Sequence, residues 1–81
     1  MNFTNKEIEK LKSLGFEKTA SSYSYEYSNG VIILTVEKTD KNEFTFYNDM
    51  CSDDDIVKAN NNQTVPNLTW KELLEEIKGS F

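Results

Sequence analysis

Three tyrosines at every second position, Tyr23, Tyr25 and Tyr27, run directly into Asn29-Gly30, and no other stretch restricts the fold of this chain as strongly. Alternation with Ser22, Ser24, Glu26 and Ser28 is the period of a half-buried strand. Asn-Gly favours a type I′ turn, because both central residues of that turn need positive φ. The expectation is a two-residue hairpin into Val31 to Lys38, with Ser28 opposite Val31. That register sets Tyr27 opposite Ile32, Tyr25 opposite Leu34 and Tyr23 opposite Val36, all on one face.

Side-chain parity decides the next turn, Thr39-Asp40-Lys41-Asn42. An even loop would turn Phe44 and Phe46 away from Leu34 and Val36, forfeiting about 1.5 to 3 kcal/mol for each ring. A three-residue loop with Asn42 in the left-handed region keeps all four on one face, and Asn tolerates that conformation.

Helices are expected at both ends of the chain. Thr4 and Glu7 form a capping box, with Phe3 and Ile8 placed as its hydrophobic staple. Ile8, Leu11 and Leu14 then recur at helical spacing, and Gly15 can take the left-handed stop. This helix should run from about Asn5 to Leu14, with Phe16 folding back on Leu11. Thr69 and Glu72, stapled by Leu68 and Leu73, start a second helix from Trp70 to Lys78, with Gly79 after it. Trp70, Leu73, Leu74 and Ile77 fall on one side of it, and Lys71, Glu72, Glu75, Glu76 and Lys78 on the other. Between them, Ser52 and Asp53 to Asp55 have the composition of a helix start, which predicts one or two turns through Ile56, Val57 and Ala59.

The fold class predicted is therefore α+β: a three-stranded antiparallel β-meander with two helices packed on one face, two layers in the order αβββ(α)α. With 81 residues, residues 1–81 are expected to form a single domain. Five Phe, four Tyr and one Trp are read first as core volume. No apolar run is long enough to span a bilayer and no apolar leader follows Met1, so the expectation is a cytoplasmic protein without membrane association.

Chemistry is tested by elimination. Without His, neither Ser nor Cys51 has the usual activating base, and acids around Cys51 would raise its thiol pKa. The glycines stand alone at 15, 30 and 79, which excludes a Gly-rich phosphate loop. Asp49, Asp53, Asp54 and Asp55 offer oxygen ligands for a divalent cation, but without the alternation and Gly of a calcium loop, and a solvated helix start explains them as well. No cofactor and no enzymatic activity are expected.

Charge gives the remaining signal. The net charge is −5, all of it in the second half: residues 1 to 41 hold six Lys and six acids, residues 42 to 81 three Lys and eight acids. Direct nucleic-acid binding conflicts with that balance, and core packing accounts for the tyrosine ladder better than a base-stacking platform does. The reading is a non-enzymatic protein-binding module that meets a basic partner, such as a nucleic-acid-binding complex, and competes for its basic surface. The binding set is Glu43, Asp49, Asp53, Asp54, Asp55, Glu72, Glu75 and Glu76. In size, charge and lack of catalytic motif the chain resembles the small acidic inhibitors of phages and mobile elements, anti-CRISPR and anti-restriction proteins among them; no motif carries the likeness, so it assigns no residue. A homo-oligomeric structural or accessory protein is the alternative, a monomer or weak homodimer in solution, pairing through Val31, Ile33 and Tyr47 on the open sheet face. A divalent-metal-binding protein using Asp49, Asp53, Asp54 and Asp55 is the second alternative.

Overall fold

A computed structural model of the chain describes residues 2–21, 23–30, 32–50 and 63–80. Helix α1 (Asn5–Ser13) starts on the expected capping box: Thr4 Oγ1 accepts from the Glu7 N–H and Glu7 Oε1 from the Thr4 N–H. It ends in a Schellman motif, with the Phe16 N–H bonded to the Leu11 carbonyl at 2.9 Å, the Gly15 N–H to that of Lys12 at 3.0 Å, and Gly15 at φ 98°. A Cβ at Gly15 would also lie 3.1 Å from the Tyr27 ring, so the position resists any side chain on two grounds.

The sheet is the main correction. Among the described residues it has five antiparallel strands, not three, and their spatial order is the chain order: β1 (Glu17–Lys18), β2 (Ser24–Ser28), β3 (Ile32–Lys38), β4 (Phe44–Met50) and β5 (Gln63–Leu68). β1 is too short for any pattern to announce it. β5 contains Pro66 and Asn67, which read as breakers in a sequence, and an edge strand can accommodate both. Asn67 sits at φ 62°, and the register between β4 and β5 shifts by one residue there, a bulge in which Asn takes the left-handed place usually given to Gly.

The β2–β3 hairpin is displaced from its expected register by two residues. Tyr25 pairs with Val36 and Tyr27 with Leu34, while Asn29 and Ile32 close the turn. Asn29 does not take positive φ. Its Oδ1 accepts from the Ile32 N–H at 3.0 Å, and Gly30, at φ 89°, supplies the left-handed residue. A shift of two preserves parity, so Tyr25 and Leu34 keep their buried face, but Tyr23 falls off the strand end and is 46% exposed. The β3–β4 turn is as expected: Thr39 and Glu43 close a three-residue loop with Asn42 at φ 62°, and Phe44 and Phe46 are buried.

Helix α2 (Trp70–Ser80) begins on the Thr69–Glu72 capping box and continues through Gly79 to Ser80, two residues beyond the expected end. The short helix expected within residues 52–59 lies outside the described residues. Both helices bury their apolar sides in one cluster on one face of the sheet, with Leu11, Leu34, Val36, Leu73 and Ile77 fully buried. Phe44 joins the two helix starts: Phe3 packs at 5.9 Å and Trp70 at 5.3 Å between ring centroids. The layer arrangement and the α+β class thus agree with the sequence reading, on a sheet two strands wider.

Candidate partner-binding surfaces

The acidic set does not form one surface. Glu72, Glu75 and Glu76 converge: with Leu68 at the end of β5 they line a shallow groove of about 260 Å³ along one flank of α2. Glu72 is fixed there by its capping role. The Thr69 N–H and the Thr69 hydroxyl hold its carboxyl below the usual range, so it keeps its charge to lower pH than a free Glu. Glu43 instead closes the β3–β4 turn, its carbonyl accepting from the Thr39 N–H at 2.8 Å. Asp49 stands opposite Ile33, at a strand parity that places it on the sheet face away from the helices. Asp53, Asp54 and Asp55 lie outside the described residues. Of the eight acids expected to act together, the structure groups three and separates two.

The open sheet face carries the alternative interface. Ile33 and Tyr47 are half-buried there, diagonal neighbours on adjacent strands two register positions apart, with Thr35 and Thr45 beside them. No described helix covers this face. Tyr47 reaches diagonally to Glu37, donating its hydroxyl to Oε1 at 2.6 Å. That hydrogen bond raises the phenol pKa, with desolvation and the nearby carboxylate charge adding to it. Val31, the third residue of this set, lies outside the described residues.

For the metal reading, Asp49 is the single member of Asp49, Asp53, Asp54 and Asp55 within the described residues, and no three metal-ligating side chains cluster among those residues. No helix of the described residues is long and apolar enough to cross a membrane. Two features of the molecule escaped sequence reasoning. Lys38 is buried, which its even spacing from Leu34 and Val36 announces. A second groove beside α2 gathers lysines from both helices, and only the packing of α1 against α2 reveals it. Comparison with family models, curated proteins and solved structures finds no match to this chain.

Proposed function

We propose that this protein is a non-enzymatic binding module that engages a basic surface of a partner protein and, where that surface holds nucleic acid, competes for it. One observation carries the reading: Glu72, Glu75 and Glu76 share one groove on α2, so part of the net charge of −5 is presented as a shaped patch over the buried Leu68. Clustered charge of one sign steers an oppositely charged partner and raises its association rate. Glu43 and Asp49 act through the overall field and make no contact at this patch.

The test uses Glu72→Gln together with Glu76→Gln. Gln also completes a capping box, so the start of α2 is preserved while two charges are removed. Affinity capture supplies a basic partner, and its association rate is then followed as salt rises. Screening acts over about 8 Å at physiological ionic strength, so the wild-type rate should fall steeply and the variant should start lower with a shallower slope. Nucleic acid added in excess should displace the protein. Equal rates and slopes for the two proteins would remove this reading and leave the charge as a solubility device.

A second reading rests on the open face, where Ile33, Thr35, Thr45 and Tyr47 form a mixed strip that could pair with another copy. Light scattering decides it: a monomer at millimolar concentration leaves the strip without that role.

A further inference from the structure

The flank of α2 opposite the acidic groove has the reverse character. Where the last turn of α1 meets α2, Lys10, Leu14, Lys71, Leu74, Glu75 and Lys78 line a cavity of about 200 Å³. Leu14 and Leu74 are half-buried and make its apolar floor, while Lys10, Lys71 and Lys78 are exposed at its rim. Three of the nine lysines of an acidic protein thus gather around two leucines, with Glu75 the one acid among them. Glu75 stands one helical turn from both Lys71 and Lys78. Three ammonium groups against one carboxylate give the rim a net positive charge.

We propose that this cleft is a docking groove for an acidic amphipathic peptide segment. An apolar side chain of the segment rests on Leu14 and Leu74, and carboxylates flanking it pair with Lys10, Lys71 and Lys78. Charge complementarity selects this occupant. A second copy placed on the same groove by two-fold symmetry would bring an excess of lysine against an excess of lysine, which costs affinity. Nucleic acid would meet the lysines but has no side chain for the leucine floor, and the acidic flank of the same helix would repel it. The groove shares Glu75 with the acidic one but uses neither Glu72 nor Glu76, so Glu72→Gln with Glu76→Gln tests the one reading and the lysine variant the other.

The probe is a synthetic amphipathic helix of Leu and Glu, titrated into the isotopically labelled full chain, with the same peptide carrying Gln at every Glu as control. Amide shifts should concentrate at Leu14, Leu74 and their neighbours. Lys71→Gln with Lys78→Gln, both at exposed positions, should keep the amide spectrum of the fold and weaken binding about tenfold, as should the Gln peptide. Absence of binding, shifts centred on another surface, or equal affinity for the Lys variant or for the Gln peptide would each overturn the proposal. Concentration-dependent self-association that the Lys variant abolishes would assign the groove to a second copy instead and overturn it too.

Discussion

Lys38 sits where strand parity sends it, on the core face, with its side chain only 2% exposed. Its Nζ lies 2.8 Å from Glu7 Oε1 and 5.6 Å from the centroid of the Phe44 ring. The same Glu7 oxygen accepts the Thr4 N–H at 2.8 Å, so one carboxylate both caps α1 and neutralises a lysine buried beneath it. Removing one partner of such a pair leaves a charge without a partner in a dry site, whereas replacing both with groups that suit the site is close to neutral. Glu7→Ala should therefore cost about 3 to 5 kcal/mol in urea unfolding, the lost cap included. Glu7→Gln with Lys38→Met retains the capping box and should recover most of that loss. A cost for Glu7→Ala below about 0.5 kcal/mol, the size of a neutral surface change, would mean that the pair is energetically idle.

Tyr47 sets a pH dependence of definite sign. Ionising its phenol would break the bond to Glu37 and set two anions together, so the folded state holds the proton more tightly than the unfolded chain. The stability this bond contributes is complete below the ordinary phenol pKa and is lost as pH rises through the raised folded value. Phenolate absorbance, read as the difference between wild type and Tyr47→Phe, should show a late-titrating tyrosine. Glu37→Gln should bring that titration down, and an unchanged midpoint would show that Glu37 is not its cause.

At the scale of elements, α2 is held by Leu73 and Ile77, both fully buried, with Trp70 and Leu74 packed beside them. Leu73→Ala should cost about 2 to 5 kcal/mol in denaturant unfolding, because the cavity lies between a helix and a sheet that cannot both relax into it. A loss under about 0.5 kcal/mol would take α2 off the core. Both helices were legible because each end signal is local: Thr4 with Glu7, Gly15, and Thr69 with Glu72 act within one turn. Asn42 was legible because Phe44 and Phe46 left one parity. The Asn29-Gly30 turn was half legible. The dipeptide marks a turn, but whether Asn29 bends its backbone or lends its side chain to the Ile32 N–H depends on which register the tyrosines and β3 prefer. β5 was not legible, since Gln63, Thr64, Pro66 and Asn67 gain their strand geometry from β4 and not from their own propensities. Charge sign alone did not reveal how topology distributes the acids: Asp49 and Glu72 occupy opposite sides of the sheet.

For the whole molecule, α2 divides the surface by sign, with Glu72 and Glu76 on one flank and the lysines on the other. Sheet order has a different consequence, one of time. Every strand lies beside its neighbour in the chain, so no pairing must wait for a distant segment, and the entropy of loop closure grows only slowly with loop length. Among the described strands the longest connection is the one between β4 and β5, residues 51–62. A nucleus of β2, β3 and β4 can form first, with β5 and α2 docking afterwards. Gly-Ser residues inserted so as to double that connection should cost about 0.6 kcal/mol of stability. Stopped-flow measurements should find that loss in faster unfolding, with the folding rate nearly unchanged, because β5 joins after the barrier. Folding that slows by the full amount would place β5 inside the nucleus, and the central hairpins would then have to wait for that edge strand before they could commit.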